Sequence, residues 1–524
     1  MPTSPPRPES AAGAQLSALA EVVGSPPVAG PDLVVTGATL RHQDVRPGDL
    51  FAALPGAKVH GARFVADALA AGAITVLTDP AGARLITEGL PAGNAGTLPI
   101  LLTDDPRQRL GPAAARIYGD PSRRLPIIGI TGTSGKTTTC FLLEAALAAQ
   151  GLRTGLIGTV MTRIGSNAGR NIGSGTSAAA EVLPSAFTTP EAPDLQALLA
   201  IMLERGVQAV AMEVSSHALA LGRVGGTRYA VGAFTNLSQD HLDFHPDMED
   251  YFAAKAALFD GRSAAAVFDI DDHYGRRLAA AHPDGSTVSA SGRPDADWRV
   301  TEVTSLPTGR QRLHVVGPDG IDIDTELALP GAFNLANALA AIACVQVAGY
   351  DPAVAAAAMA TVQVPGRMQR VDAGQDFLAV VDYAHKPAAL AAVLAAVRGS
   401  VPGKVIVVIG AGGDRDTGKR PLMGAEAAGR ADLVIVTDDN PRSEAPPAIR
   451  AAVLAGAKDA ARQSGSRIVE IGDRRAAIAA AVAAATGGDA VVIAGKGHET
   501  GQDVGGVKHP FSDVEELQEA LAAR

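Results

Sequence analysis

The stretch Gly129-Ile130-Thr131-Gly132-Thr133-Ser134-Gly135-Lys136-Thr137-Thr138 decides how this chain is read. The apolar run PIIGI (126–130) ahead of it suits a buried strand, and KTTTCFLLEAALAAQG (136–151) behind it suits a helix. Between them Gly132, Thr133, Ser134 and Gly135 make a tight turn. Its backbone N–H groups and the N-terminus of the following helix would cradle phosphate, with Lys136 adding charge and Thr137 and Thr138 in the first helical turn. The hydroxyl of Thr137 is placed to reach Mg2+. The commoner spacing of such a loop has a glycine at position 130, where this chain has Ile, so Gly132 takes the inner turn. An ordinary glycine turn is the bland alternative; GKTT directly after a buried strand argues against it.

Downstream, the strand VQAVAM (207–212) leads into Glu213-Val214-Ser215-Ser216-His217, and YAVGAF (229–234) leads into Thr235-Asn236-Leu237-Ser238-Gln239-Asp240-His241-Leu242-Asp243-Phe244-His245. Open α/β sheets gather their functional groups at the carboxyl ends of strands. Glu213 there is suited to hold Mg2+ directly or through water, although alone it reads as a surface or capping residue. The Asp and His cluster can bind metal, orient a nucleotide or cap a helix. YFAAKAALF (251–259) reads as an amphipathic helix with Lys255 among apolar neighbours. A snorkelling lysine is its bland reading; a desolvated lysine that takes up carbon dioxide as a carbamate is the reactive one. Asn334 and Asn337 open another helix, where they can cap it or meet a base, and Gly366-Arg367 and Asp382-Tyr383-Ala384-His385 are polar groups beside turns.

A last region carries the strands LAVVDY (378–383), KVIVVIG (404–410), DLVIVTD (432–438) and DAVVIAG (489–495), with Ala-rich helices between. Continuous β-branched runs of this kind suit a parallel sheet covered on both faces. Three of these strands end in charged loops: Gly412-Gly413-Asp414-Arg415-Asp416, Asp439-Asn440-Pro441-Arg442 and Gly495-Lys496-Gly497-His498-Glu499. Arg415 and Arg442 can pair with carboxylates in bidentate fashion and Glu499 can accept from an ammonium, so together the loops read as a pocket for a zwitterionic, amino-acid-like ligand.

The remaining features bound the class. A chain of 524 residues exceeds one hydrophobic core, and 47% hydrophobic with 19% charged residues is globular. The reading is α/β throughout: a disordered tail at 1–30, rich in Pro, Ser and Ala; an N-terminal α/β module at 31–124; a central P-loop domain at 125–364; and a Rossmann-like doubly wound domain at 365–524. Boundaries are drawn at GDPSRRLP (119–126) and VQVPGRMQRV (362–371). A formal charge of −10 excludes nucleic acid as the main partner. Cys140 and Cys344 sit in apolar helical contexts and read as buried free thiols. With no signal-type N-terminus and no long uninterrupted apolar run, the expectation is a cytoplasmic protein without membrane contact, and a monomer.

Taken in order, GTSGKTT, MEVSSH, TNLSQDHLD, YFAAKAALF, FNLANALAA, VPGRM, DYAHKP, GAGGDRD, DDNPR and AGKGHE resemble the motif series of the Mur ligases, over about residues 32–515. The DNPR stretch resembles the diaminopimelate-adding branch. The resemblance implies three domains (UDP-binding, ATPase and Rossmann-like) and ATP-dependent amide formation in peptidoglycan synthesis. ATP would phosphorylate the D-Glu side-chain carboxylate of UDP-N-acetylmuramoyl-L-alanyl-D-glutamate, and the amine of meso-diaminopimelate would attack the acyl phosphate through a tetrahedral intermediate. Carried over residue by residue, it gives Lys136, Lys255 and His241 as catalytic. Gly132 to Thr138, Asn334, Arg367 and Asp382 would bind ATP. Thr137, Glu213, His241 and an N6-carboxylated Lys255 would serve Mg2+. Leu40, His42, Ala57, Thr188, Thr189, Ser215 and Arg223 would hold the UDP-muramoyl peptide, and Arg415, Asp439, Asn440, Pro441, Arg442, Gly495 and Glu499 the diaminopimelate, with Arg442 on its distal carboxylate.

The chain departs from the family pattern at Gln369, where Glu is usual, at Leu221, where some members have Gln, and at His42, where many have Ser. Two rivals within the superfamily are a lysine-adding enzyme and a folylpolyglutamate synthetase-like ligase. A lysine-adding enzyme has no use for Arg442, and a folate enzyme none for the N-terminal module. A nucleotide-dependent switch, the rival of another class, would leave the amino-acid loops idle.

Overall fold

The computed structural model describes residues 5–28, 30–90, 98–166, 180–185, 187–306 and 309–524. The chain divides into two compact units, residues 1–287 with 340–355, and residues 288–339 with 356–524. The α/β class holds in both.

The first unit begins with a four-stranded sheet of Gly37–Thr39, Asp49–Ala52, Thr75–Thr78 and Ile100–Leu102, all parallel and in chain order. Two helices that follow its strands start by the same device. Asp79 caps Pro80–Gly89 by accepting from the Gly82 amide at 2.6 Å, and Asp105 caps Pro106–Ile117 by accepting from the Gln108 amide at 3.1 Å. In each the proline occupies the first helical position, where a missing N–H costs nothing.

The expected disordered tail at 1–30 is corrected by this part of the fold. Leu16–Val23 is a helix whose Leu16, Leu19, Ala20 and Val23 are buried, an i, i+3, i+4, i+7 stripe hidden in a Ser-, Pro- and Ala-rich composition. It ends at Gly24 with φ 70°, a left-handed cap natural to glycine. Ahead of it Arg7 donates to Tyr118 Oη at 2.6 Å and pairs with Asp49 at 3.0 Å. A guanidinium held by a strand residue, Asp49, and by Tyr118 at the end of helix Pro106–Ile117 anchors this segment to the N-terminal module.

The second sheet of this unit runs Glu181–Leu183, Thr162–Ser166, Thr154–Ile157, Ala209–Glu213, Ile127–Thr131, Tyr229–Phe234, Ser263–Asp269. Thr162–Ser166 is antiparallel to both of its neighbours, and the other described pairings of this run are parallel. Ile127–Thr131 lies between Ala209–Glu213 and Tyr229–Phe234, with Glu213 opposite Ile130 and Phe234 opposite Thr131. Three loops therefore leave the sheet side by side.

In the second unit Trp298–Ser305, Gln311–Val316 and Asp322–Leu327 form an antiparallel meander, a piece of structure not anticipated from the sequence. The other sheet runs Gln369–Arg370, Leu378–Asp382, Ala490–Ala494, Val405–Ile409, Leu433–Val436, Arg467–Glu470, parallel except for its first strand. Alternation along each strand serves two cores. Val380, Val407, Val434 and Val492 join one cluster, with Leu390, Met423 and Val453 from the helices over that face. Val381, Ile406, Val408, Ile435, Val491 and Ile493 join another, with Ile478 and Leu517. Period-two side chains with both faces apolar are what a doubly covered sheet requires. The late strand Ala490–Ala494 inserts between Leu378–Asp382 and Val405–Ile409, so the loops after residues 382, 409, 436 and 494 share one edge.

Candidate active site

In the first unit the loop after Ile127–Thr131 is wound as anticipated, and helix Lys136–Ala149 starts at Lys136. Gly132 has φ 147° and Gly135 φ 92°, values that side chains resist. The shape is fixed from outside by residues of the neighbouring TNLS segment, to which the sequence reading assigns no role. Thr235 Oγ1 donates to the Ser134 carbonyl at 2.7 Å. The Asn236 carbonyl accepts from the Thr133 amide at 2.8 Å, and its side-chain oxygen accepts from the Ser134 amide at 3.0 Å. Thr133 Oγ1 meets Tyr251 Oη at 3.2 Å and accepts from the Ser238 amide at 3.0 Å. The TNLS segment is thus a clamp on the phosphate loop. Its signal was in the sequence, at the end of the neighbouring strand, but hydrogen bonds across loops are not periodic and leave no pattern.

Lys136 Nζ donates to the carbonyls of Gly132 at 2.7 Å and Thr133 at 3.0 Å. Lys255, on helix Met248–Ala256, is 1% exposed and donates to the same Gly132 carbonyl at 2.8 Å, with its ammonium 4.6 Å from the Tyr251 ring centroid. It does not snorkel. The two nitrogens are no further apart than the sum of those two distances, close for two like charges in a buried place.

Glu213, at the last position of its strand, is 1% exposed; it accepts from the Thr159 amide at 2.8 Å and from Thr159 Oγ1 at 3.0 Å. The same Thr159 hydroxyl lies 3.0 Å from Thr188 Oγ1. Thr189 donates to the Glu213 carbonyl at 2.9 Å and accepts from the Ser215 amide at 3.1 Å. Arg223 reaches the Thr189 carbonyl at 3.4 Å, pairs with Glu191 at 2.9 Å and lies 4.9 Å from the centroid of the exposed Phe187 ring. Thr188, Thr189, Ser215, Arg223 and Glu213 are thus brought together. Leu40, His42 and Ala57 belong to the N-terminal loops: Leu40 packs on the core there, His42 stacks on Phe64 at 4.8 Å, and Ala57 is exposed.

The histidines divide by environment. His245 is 1% exposed and bridges Asp250 at 2.7 Å and Ser216 at 3.0 Å, a structural role. His241, with φ 53°, is half-exposed; it sits 3.3 Å from Asp240 and edge-on to His217 at 4.9 Å. Burial lowers the His217 imidazole below its ordinary range. Among the described residues no three His, Cys, Asp or Glu side chains are arranged to enclose a metal ion. The buried Glu213 carboxylate stands opposite Ile130 on the strand that leads into the phosphate loop, a sparse oxygen donation of the kind that suits Mg2+, which keeps its waters and leans on substrate phosphates.

In the second unit Asn334 and Asn337 are buried and engage each other. Asn334 Nδ2 donates to the Pro330 carbonyl at 2.7 Å, and Asn337 Nδ2 donates to Asn334 Oδ1 at 3.0 Å. Asp382 accepts from the amides of Met368 and Ala384, both at 2.7 Å, and its burial raises its carboxyl above the usual range. Met368 stands at φ 45°, so Asp382 latches the strained VPGRM turn. The departure at Gln369 is explained: its side-chain oxygen accepts from the Gly366 amide at 2.8 Å, a bond for which an amide serves as well as a carboxylate. The Arg367 guanidinium lies 4.4 Å from the Tyr383 ring centroid. His498, held down to about 4 by burial and by Arg367, tilts against Tyr383 at 5.3 Å.

The three charged loops meet at the sheet edge. Asn440 Nδ2 donates to Glu499 Oε2 at 2.8 Å, and Lys496 Nζ donates to Asn440 Oδ1 at 3.1 Å and to Glu499 Oε2 at 3.0 Å. Arg442, at φ 50°, donates to the Gly413 carbonyl at 2.5 Å. A Cβ on Gly495 would stand 2.6 Å from Asp439 Oδ2, and one on Gly413 would stand 1.9 Å from the Pro441 carbonyl, so these loops approach as closely as glycine allows. Arg415 is exposed at the rim. Lys496, 0% exposed, had no role assigned within its charged loop, and the hairpin Gly501–Val504 with Val507–Pro510 was not foreseen as part of this edge. Gln502 Nε2 donates to the Asp439 carbonyl at 2.6 Å, and the Asp503 amide donates to Asn440 Oδ1 at 2.9 Å.

Comparison with known proteins agrees in all three regions. Residues 35–118 match the Mur ligase family catalytic domain, 130–345 the Mur ligase middle domain, and 366–497 the Mur ligase glutamate ligase domain. The UDP-N-acetylmuramoyl-L-alanyl-D-glutamate–2,6-diaminopimelate ligase of Streptomyces coelicolor is 52% identical over 523 residues, covering 99% of this chain and 98% of that one. The protein of the same description from Corynebacterium glutamicum is 52% identical over 481 residues, covering 91% and 89%. A solved structure of a ligase of that description superposes with a TM-score of 0.68 at 33% identity, covering 96% of this chain and 98% of the other.

Proposed function

The chain belongs to the Mur ligase family, and on that premise we propose that it joins meso-diaminopimelate to UDP-N-acetylmuramoyl-L-alanyl-D-glutamate at the expense of ATP. It is an ATP-dependent, amide-forming ligase of peptidoglycan synthesis. The observation that supports the choice of amino acid is the edge where Arg442, Asn440 and Glu499 meet. It offers an acceptor for an ammonium and a guanidinium for a carboxylate, which complements diaminopimelate at both ends. No helix of the described residues is long and apolar enough to cross a membrane. The domain scheme proposed is a UDP-binding module to 124, which takes in residues 5–28 as well, an ATPase at 125–364 and an amino-acid-binding domain at 365–524.

The proposed chemistry is supported by the geometry of each site. The loop amides and Lys136 hold the ATP phosphates. The D-Glu side-chain carboxylate attacks the γ-phosphorus, ADP leaves, and an acyl phosphate forms. The amine of diaminopimelate then attacks the acyl carbon; a tetrahedral intermediate collapses, phosphate departs, and the nitrogen gives up a proton. Holding both reactants in line supplies much of the rate. Magnesium, when bound, neutralises charge on the transferring phosphoryl group, and Thr137, Glu213 and His241 are the side chains that would hold it. Thr188, Thr189, Ser215 and Arg223 would hold the muramoyl peptide, with Leu40, His42 and Ala57 on the uridine. Asn334, Arg367 and Asp382 would serve the nucleotide, with the Arg367–Tyr383 stack as a flat surface for a base. Arg415, Asp439, Pro441 and Gly495 complete the amino-acid pocket.

Lys255 is proposed to carry a carbamate. Two ammonium groups on one buried carbonyl repel, and converting Lys255 to an anion turns that repulsion into attraction toward Lys136. The test of the function is phosphate release with ATP, Mg2+ and UDP-N-acetylmuramoyl-L-alanyl-D-glutamate. Release is expected with meso-diaminopimelate and not with L-lysine; equal release with lysine would remove the role given to Arg442.

A further inference from the structure

Lys496 is a fully buried lysine in a loop whose neighbours carry the amino-acid pocket, and its contacts define the state of two of them. Asn440 Oδ1 faces two groups that can only donate, the Lys496 ammonium at 3.1 Å and the Asp503 amide at 2.9 Å. The atom there must therefore be oxygen, and the Asn440 amide has one orientation. Its Nδ2 then points at Glu499 Oε2, 2.8 Å away. The same oxygen accepts from Lys496 at 3.0 Å. Both bonds fall on Oε2 and neither on Oε1. One buried cation thus holds an amide, together with the Asp503 N–H, and a carboxylate, and the Glu499 charge offsets its own.

Resting on the reading of Asn440 and Glu499 as contacts of the amino acid, we propose that Lys496 is the positioning residue of that pocket. It orients Asn440 and Glu499 to receive the ammonium-bearing end of diaminopimelate without touching the reacting atoms. Without its ammonium, Asn440 Oδ1 loses one of its two donors and Glu499 Oε2 one of its two, so both side chains gain freedom to rotate and the pocket is no longer preformed.

The experiment is steady-state phosphate release by the full-length protein carrying Lys496→Met, Lys496→Gln, Glu499→Gln or the double change Lys496→Met/Glu499→Gln. KM is measured separately for meso-diaminopimelate and for ATP. Loss of a charge-assisted bond predicts a rise in the diaminopimelate KM of about 10- to 100-fold for Lys496→Met. The ATP KM should stay unchanged. Lys496→Gln, which keeps a donor, should recover part of the loss, and this shorter polar variant keeps the test open where the methionine fails to fold. The double variant should cost less than the two single changes summed, because Lys496 acts in part through Glu499. A normal diaminopimelate KM in Lys496→Met beside a raised one in Glu499→Gln would overturn the proposal and leave the pocket standing. Equal rises for ATP and diaminopimelate would overturn it in favour of general destabilisation. A normal KM in Glu499→Gln would remove the pocket reading, and this proposal with it.

Discussion

Replacing Gly132 with Ala puts the clamp on the phosphate loop to a quantitative test. The new methyl would stand 2.0 Å from Thr235 Oγ1 and 3.1 Å from the Asn236 backbone, at a φ of 147° that L-residues rarely adopt. The backbone conformation costs about 1–3 kcal/mol. Thr235 must also rotate away, which forfeits its 2.7 Å bond to the Ser134 carbonyl, about 0.5–1.5 kcal/mol net. Together these amount to roughly 2–4 kcal/mol against the loop shape that presents its amides to phosphate. That corresponds to a fall in ATP affinity of about 30- to 1000-fold. Isothermal titration with a non-hydrolysable ATP analogue measures it directly, with circular dichroism to establish that the variant is folded. Thr235→Ala alone loses the bond without the clash and should cost much less. Gly132→Ala/Thr235→Ala should regain part of the loss, because the steric component is gone while the φ component remains. A folded Gly132→Ala protein that binds the analogue within a factor of about three of wild type would refute the reasoning, as would a double variant no better than the single one.

Other perturbations bear on different parts. Asp269 is buried at the end of its strand beside Asp271 and Asp272, and burial pushes its carboxyl from 3.8 up to about 7. Its folded-state value is raised, so the stability it contributes is present below about 4 and is lost as pH rises toward 7, by at most about 4 kcal/mol. Asp269→Asn should flatten that part of the denaturation-versus-pH curve, and an unchanged slope would sink the assignment. Arg474 and Asp513 form a doubly hydrogen-bonded pair with both side chains 0% exposed, and Arg474 also donates to the Ala494 carbonyl at 3.0 Å. Asp513→Asn leaves a buried guanidinium without its counter-charge and should cost about 3–5 kcal/mol in urea denaturation. Lys255→Arg keeps the cation but cannot form the carbamate. In buffer with 13C-labelled bicarbonate, wild type should show a carbamate carbon resonance that this variant lacks, together with a loss of kcat on the order of 100-fold; full activity in the variant would end the carbamate proposal.

Much of this was legible beforehand, because the signals are local or periodic. PIIGI followed by GKTT specified a strand, a phosphate-type turn and a helix, since only glycine tolerates φ near 147° at position 132 and 92° at position 135. The β-branched runs at 405–409, 433–436 and 490–494 announced a doubly covered parallel sheet, because both faces of such strands must be apolar. The tail was misread because the apolar stripe of Leu16–Val23 is only two turns long and lies in a composition that otherwise resembles a linker. The antiparallel meander at 298–327 passed unnoticed because its exposed strands carry many polar residues.

What the sequence determined by itself was therefore the kind of chemistry: a loop that binds phosphate, carboxylate-pairing arginines, and strands that bring them to a sheet edge. What only the tertiary structure decided was which groups face one another. That Lys255 reaches across 123 positions of chain to the Gly132 carbonyl that Lys136 also uses, that Asn236 clamps the loop, and that Lys496 sits between Asn440 and Glu499 could not be read from spacing. Strand order fixes such encounters: Ala490–Ala494 is laid between strands far earlier in the chain, and a hydrogen bond depends on distance and angle in space rather than on separation along the chain.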